Sequence, residues 1–272
     1  MAKYSLLKGT VSHLYVEDDP KELRADDIGL LAIIGLAIVG MFEAIGALIG
    51  ALTAGSITLE GKSFQCYVGR KKVQGKLEHI SFKDGDYVEM VVKQIDDNHY
   101  QSYAVRMPQY HALYFPRSVG ITTLQQLTGC SIFMGILGLL IFLFMLPATI
   151  STWQPFEKCF ELFIMVCCVT IGLILLLFFS SGGACSFVSN RIYATLGYSK
   201  PWSHDCIKEH DRFKKLNRSE DPELFNDPQT PEFQRIKKLD SHANYYCRTP
   251  ILPNWVKVID ERGFTPDGNE NQ

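Results

Sequence analysis

The sequence predicts an α+β membrane protein, in which apolar helices cross a bilayer and a small β-module lies outside it. No charged residue occurs from 118 to 156, and none occurs from 162 to 190. These stretches exceed the roughly 18 apolar residues that cross a hydrocarbon core. Between 56 and 117, short alternating segments are separated by turn-forming residues, which is typical of antiparallel strands. A freely soluble enzyme is therefore excluded, although 47% hydrophobic and 21% charged residues are ordinary values.

Two segments, 131–149 and 160–180, are each predicted to span the membrane once. Each holds about 20 residues and would be roughly 30 Å long as a helix. We expect Pro147 to end the first of these helices, because proline cannot continue a helix without losing a hydrogen bond. The alternative, two core helices of a soluble bundle, is disfavoured because neither segment carries a polar stripe. The region 124–180 is therefore predicted to form a transmembrane helical hairpin.

A third apolar region, 28–55, is rich in glycine and alanine and is interrupted by Glu43. A single helix of this length would reach about 42 Å and would bury the Glu43 carboxylate near the midplane, at a cost of about 3 kcal/mol or more. A helical hairpin bent at 42–44 would instead place that carboxylate at the far interface. Gly46 and Gly50 have the GxxxG spacing that lets helices approach closely, including helices of an oligomer. Glu43, Gly46 and Gly50 are the candidate functional residues of the membrane region.

Positive charge favours the hairpin model and predicts the orientation. The tail 1–27 contains four lysines and arginines, 56–129 contains nine, the link after residue 149 contains only Lys158, and the region from 181 contains thirteen. Since cytoplasmic loops are enriched in lysine and arginine, the poor link should face outward. A hairpin at 28–55 then puts 26 of the 27 basic residues inside. The prediction is a multi-pass protein with cytoplasmic N- and C-termini.

The β-module predicted at 56–117 has the pattern of a small SH3-like or OB-like barrel or curled sheet. Val88, Met90 and Val92 alternate with other residues, as expected of a strand with one buried face. In the N-terminal region 1–27, the stretch SLLKGTVSHLYVE has the same strand character, and we expect this strand to join the sheet.

The region 181–272 is polar and interrupted by prolines, and it is predicted to be a cytoplasmic helical C-terminal region. The helices are predicted at 187–196, 203–216 and 231–239.

The sequence predicts neither catalysis nor a cofactor, because no nucleophile with a base and no nucleotide-binding loop is recognisable. One set of metal-capable residues has spacings that match no usual zinc pattern, so no metal site is predicted. This set comprises His204, Cys206, His210, His242 and Cys247. A balance of 27 basic and 29 acidic residues also excludes nucleic-acid binding driven by bulk charge.

A basic cluster in the β-module is the candidate site for anionic lipid headgroups of the bilayer. It comprises Arg70, Lys71, Lys72 and Lys76. The solvated edge of a hairpin would have the same composition, so both interpretations stay open.

The order of segments suggests a family. A short N-terminal strand and a Gly/Ala-rich region precede GRKKVQGKLEHISFKDGDYVEMVVKQIDDNHYQSYAVRMPQYHALYFPRSVG, a hydrophobic pair and NRIYATLGYSKPW. This arrangement resembles hydrophobic membrane proteins found with bacterial type VI secretion systems and labelled type VI secretion effectors. The resemblance covers the chain up to about Trp202 and carries no catalytic residue. It implies a Gram-negative inner membrane and a role in interbacterial competition.

Two functional hypotheses of different classes follow. The first is a resident immunity or accessory protein that binds a cognate toxin or a component of the secretion system. The second is an effector that permeabilises a target membrane through the region containing Glu43. Residence is favoured because two strongly apolar spans with a positive-inside bias are typical of co-translational insertion. A lipid-acting enzyme is a third hypothesis, for which no nucleophile or metal set is found.

Overall fold

The computed structural model describes residues 4–17, 61–117, 119–150, 155–231 and 233–264. These residues divide into two compact units. The first unit contains the described strands together with the C-terminal region, and the second contains two long apolar helices.

The region 28–55 lies outside the described residues. The choice between a hairpin and a single span therefore stays a prediction, as do the roles of Glu43, Gly46 and Gly50.

Five strands of the first unit close into a barrel. The strands of the described residues are β1 (Ser5–Glu17), β2 (Lys62–Val68), β3 (Lys71–Leu77), β4 (Tyr87–Asp96), β5 (His99–Met107), β6 (Ala112–Tyr114), β7 (Asn244–Tyr245) and β8 (Lys257–Asp260). β1 pairs antiparallel with both β2 and β4, while β3 pairs antiparallel with β2 and parallel with β5. β4 and β5 complete the ring, and the order is β1-β2-β3-β5-β4-β1. The predicted α+β class and small β-barrel are confirmed.

β1 pairs with different strands along its length and contains a β-bulge. The register of β1 against β2 shifts between Ser12 and Tyr15. His13 lies in this interval with φ 51°, a left-handed conformation that suits the extra residue of a bulge. Residues 5–10 pair with β4, and residues from 11 to 17 pair with β2 on both sides of the bulge.

β4 is buried on both faces, so the prediction of one buried face is wrong. Val88, Met90 and Val92 belong to the barrel core, but Glu89 and Val91 on the opposite face are also only 5% and 0% exposed. On this opposite face, Glu89 forms ion pairs with Lys8 of β1 and Arg106 of β5. An alternation pattern within β4 carries no information about such partners on other strands.

Four charged residues alternate in sign across neighbouring strands, and we call them the charge row. They are Asp260 on β8, Lys8 on β1, Glu89 on β4 and Arg106 on β5, each the register partner of the next. Nζ of Lys8 lies 2.7 Å from Oε1 of Glu89. Nε of Arg106 donates to Oε2 of Glu89 at 2.7 Å. Burial favours a raised pKa for Glu89, but Arg106 and Lys8 outweigh it and hold this pKa below its ordinary value.

The second unit consists of an antiparallel pair of helices, α1 (Thr123–Ile150) and α2 (Pro155–Ser180). The rings of Phe142 and Phe163 meet edge-to-face with 5.9 Å between their centroids. Nearer the opposite ends, the Gln126 side chain donates to the carbonyl of Ser181 at 3.0 Å. Only 11% of the most apolar window of each helix is buried inside the protein. In the part of the chain that the structure describes, these two helices are long and apolar enough to cross a membrane.

The prediction that Pro147 ends the first helix is wrong. The helix α1 continues past this proline to Ile150. Proline removes the hydrogen bond to the carbonyl four residues earlier and crowds the preceding turn. Only three helical residues follow Pro147, so the disturbance stays within the last turn of the helix.

The C-terminal region adds the helices α3 (Gly183–Leu196), α4 (Cys206–Ser219) and α5 (Pro222–Phe225). The predicted helices at 187–196 and 203–216 correspond to α3 and α4. The helix predicted at 231–239 is absent from the described residues of that range. Instead, Asn217 of α4 binds the backbone of Ile236 twice: its amide donates to the carbonyl at 2.9 Å, and its oxygen accepts from the N–H at 3.1 Å. The backbone N–H and carbonyl of Ile236 therefore bond to a side chain and not to the backbone of a helix.

Candidate functional site: the outer face of the barrel

The side of β1, β2, β3 and β5 that points away from the barrel core carries polar and aromatic residues in register. We call it the outer face. Strand by strand, its residues are Ser12, Tyr15 and Glu17; Ser63, Gln65 and Tyr67; Lys72, Gln74 and Lys76; and His99 and Gln101. Alternate residues of the same strands, such as Phe64 and Val73, are buried in the core. Side chains directly opposite each other on paired strands lie about 5 Å apart, so the outer face is one continuous surface.

Aromatic rings occupy one edge of the outer face. Tyr15 is 65% exposed and is opposite Gln65. The ring of Tyr67 meets that of His13 edge-to-face, with 6.1 Å between centroids. The bulge in β1 brings His13 to this edge. Exposed tyrosines offer a large amphipathic contact area with few torsions to fix, which suits them to recognition.

Side-chain amides form the middle of the outer face. Gln65 is the register partner of Gln74, and Gln74 that of Gln101. The Gln74 amide donates to the Gln101 oxygen at 3.4 Å. Each amide has two donors and an acceptor with two lone pairs, so this bond leaves most of their hydrogen-bonding capacity for a ligand.

Two of the four residues of the predicted basic cluster share the outer face. Lys72 is opposite Tyr67, and Lys76 is opposite Ser63, both across the β2–β3 pair. They bring two positive charges to the outer face, which also carries the carboxylate of Glu17. Their proposed contact with lipid headgroups stays a prediction.

The other two residues of the cluster make contacts elsewhere. Nε of Arg70 lies 3.0 Å from Oε2 of Glu261, and its guanidinium lies 3.9 Å from the ring centroid of Phe264. Lys71 donates to the side-chain oxygen of Asn98 at 2.6 Å. The four basic residues therefore do not form one patch, because the turn and the alternation of the strand direct their side chains differently.

The histidines of the metal-capable set identified in the sequence make separate contacts. Nε2 of His204 lies 2.9 Å from a carboxylate oxygen of Glu209. Nδ1 of His210 accepts from the backbone N–H of Tyr245 at 3.2 Å. His242 stacks on another histidine with centroids 4.5 Å apart. Within the described ranges, no three His, Cys, Asp or Glu side chains are placed to hold a metal ion together.

A buried hydrogen-bond network around His111 was not predicted from the sequence. Nδ1 of His111 lies 3.2 Å from the carbonyl oxygen of Tyr246, and Nε2 lies 2.6 Å from Oγ1 of Thr230. A carbonyl can only accept, so Nδ1 carries the proton and Nε2 accepts from the Thr230 hydroxyl. Nucleophilic catalysis also pairs a hydroxyl with a base, but His111 is 0% and Thr230 only 9% exposed. The network therefore fastens the C-terminal region to the barrel, and a substrate has no access to it.

His111 makes the stability of this unit depend on pH. Burial lowers its pKa to about 4, despite the opposing effect of the Asp227 carboxylate 3.9 Å away. In the unfolded chain the pKa returns to about 6.5. Above pH 6.5 the imidazole is neutral in both states, and its full contribution to stability is present. As pH falls through 6.5 toward 4, the unfolded state gains a proton that the folded state excludes, and stability is lost.

We expect His111 by itself to lower the free energy of unfolding by about 1.4 kcal/mol per pH unit in this window, or about 3 kcal/mol in all. Denaturant titrations of the full chain in neutral detergent between pH 7 and pH 4 measure this slope. His111→Gln should flatten it, and His13→Gln, at an exposed histidine, should leave it unchanged. An equally steep slope in the His111→Gln chain would assign the pH dependence to other groups.

The chain was compared with models of protein families, with curated proteins and with solved structures, and none of the three comparisons finds a match. We therefore infer a function from the described residues themselves. The resemblance to membrane proteins of type VI secretion loci stays a prediction.

Proposed function

We propose that this chain is a non-enzymatic, membrane-resident binding protein, anchored by α1 and α2 and recognising a partner protein through the outer face. The apolar helix pair carries the membrane part of this proposal. Phe144 is 79% exposed and Phe160 is 58% exposed, each in a helix with many exposed apolar neighbours. Soluble monomers rarely expose continuous apolar surfaces of this extent, whereas lipid tails satisfy them.

The strand order of the barrel supports the outer face as the binding surface. A closed order in which β1 joins β2 and β4 resembles that of OB-fold barrels, which bind ligands on the face of strands 2 and 3. This analogy suggests only where a ligand would bind, since a fold does not determine a function.

The side chains of the outer face favour a protein partner. Tyrosines such as Tyr15 and Tyr67 are enriched among the residues that dominate binding energy at protein interfaces. Lys72 and Lys76 would favour a partner with an acidic surface, because complementary charge speeds association and selects among partners.

The resemblance to type VI secretion proteins supplies the biological setting. On this basis the chain is a resident immunity or accessory protein of a bacterial inner membrane, and its partner is a cognate toxin or a component of the secretion system. The competing candidate is a membrane-permeabilising effector that acts through Glu43, Gly46 and Gly50.

The proposed orientation can be tested by labelling. Both termini and the barrel should be cytoplasmic, because 26 of the 27 lysines and arginines lie outside the link that contains Lys158. An impermeant thiol reagent added to intact cells should therefore label a cysteine placed at Ser151. Cysteines placed at Asp97 or Asn226 should react only after lysis. Labelling of the cysteine placed at Asp97 in intact cells would contradict the proposed orientation.

The binding role can be tested by competition between sibling cells. Deleting the gene should make cells susceptible to siblings with an active secretion system, and the wild-type chain should restore survival. Tyr15→Ala combined with Tyr67→Ala should reduce that protection at least tenfold, because it removes both tyrosines of the outer face. Tyr110→Ala is the matched control, since Tyr110 is 48% exposed but lies off this face.

Measuring membrane potential after induction separates the two candidates. A resident binding protein leaves the potential unchanged. Depolarisation that disappears in Glu43→Gln would instead support the permeabilising effector and reject the proposal. Unchanged survival of the deletion strain would also reject it.

A further inference from the structure

A cationic pocket lies between α4 and the irregular segment that follows α5. Its volume is about 390 Å³. Lys214 and Arg218 line it from α4, and Arg235 and Lys237 line it from the irregular segment. Ile236 supplies apolar surface, and in the described part of the chain no carboxylate lines the pocket. We call this site the cationic pocket.

The positive charge of the cationic pocket is only partly compensated. Lys214 lies 3.8 Å from Asp211, and Arg235 pairs with Glu220, but all four of these side chains are roughly half exposed. Exposed pairs of this kind are weak and yield readily to a better anion.

The remaining two cations of the pocket, Arg218 and Lys237, have no acidic partner among the described residues. Arg218 also complements the dipole at the end of α4, but Lys237 lies outside any helix and has no such role. The mutual repulsion of the four cations falls when an anion binds between them.

Two contacts hold the walls of the cationic pocket in place before any ligand arrives. The paired hydrogen bonds between Asn217 and the backbone of Ile236 fix the irregular segment against α4. Phe213, one turn before Asn217, is fully buried and anchors α4 to the core. A pocket that is already formed loses little freedom on binding, which favours affinity.

We propose that the cationic pocket binds a phosphate ester. Arginine and lysine are the usual phosphate-binding side chains, and the guanidinium of Arg218 or Arg235 can donate two parallel hydrogen bonds to one phosphate group. The pocket is larger than a bare phosphate ion needs, and Ile236 and Leu239 provide apolar surface for a carbon portion. A glycerophosphate group, free or as the headgroup of an anionic phospholipid, has this combination of charge and carbon. This site is independent of the outer face.

Calorimetric titration of the full chain in neutral detergent tests the proposal with three probes. These are glycerol 1-phosphate, dihexanoyl phosphatidylglycerol and dihexanoyl phosphatidylcholine. Binding of phosphatidylglycerol without glycerol 1-phosphate identifies a lipid headgroup as the source, and binding of both identifies the phosphate ester itself. Phosphatidylcholine should bind at least tenfold more weakly, because its headgroup has no net charge.

Two pairs of substitutions with the same change in charge test the position of the site. Arg218→Gln combined with Lys237→Gln should raise the Kd at least tenfold. Lys215→Gln combined with Lys238→Gln, which alters neighbouring lysines outside the pocket, should keep the Kd within twofold. Thermal unfolding without ligand checks that both variants are folded. The proposal is overturned if neither anionic probe binds, or if the two pairs weaken binding equally.

Discussion

The arrangement of the first unit depends on keeping one buried carboxylate, that of Glu89, ionised. Removing such a group from water is costly unless opposite charges and hydrogen bonds replace the lost hydration. Arg106 and Lys8 supply both, each from a neighbouring strand. The same carboxylate therefore ties β4 to β5 on one side and to β1 on the other. Asp260 extends the charge row to β8, so the first and last described strands of the chain meet at this row.

The two sides of the barrel differ in what lies against them. The C-terminal region reaches the barrel through β8, which pairs with β1, and through Tyr246, whose backbone N–H donates to the carbonyl of His111 at 3.0 Å and whose ring stacks on the His111 imidazole. The side formed by β2 and β3 carries the outer face with its tyrosines, amides and lysines. The C-terminal region therefore contacts one side of the barrel, and the other side bears polar and aromatic residues, which is why we propose it as the binding surface.

Local patterns in the sequence predicted the elements, and long-range contacts account for what they missed. Alternation predicted the strands, and continuous apolar stretches predicted α1 and α2, because these signals arise within each element. The second buried face of β4 and the network around His111 depend on residues more distant in sequence. The helix predicted at 231–239 is absent for a similar reason, since Asn217 binds the backbone of Ile236. No pattern within a single element reveals such a partner.

The basic cluster shows that proximity in sequence also failed to predict which side chains share the candidate site. Proximity in sequence suggested one patch, but Lys71 and Lys72 are successive strand residues and lie on opposite faces. Arg70 binds Glu261, which follows β8 directly. The strand register, rather than the sequence, brought Tyr67 beside Lys72 and thereby defined the outer face.

Amide hydrogen exchange in β4 and β5 of the full chain tests most directly whether the charge row holds the unit together. Arg106→Met removes the most buried cation and should lower the opening free energy of these strands by about 3–5 kcal/mol, because the carboxylate of Glu89 is left with the ion pair to Lys8 and the hydroxyl of Tyr87. Adding Glu89→Gln should recover at least half of that loss, since no uncompensated charge is then buried. The account is contradicted if Arg106→Met stays within about 0.5 kcal/mol of wild type, the range of an ordinary surface substitution.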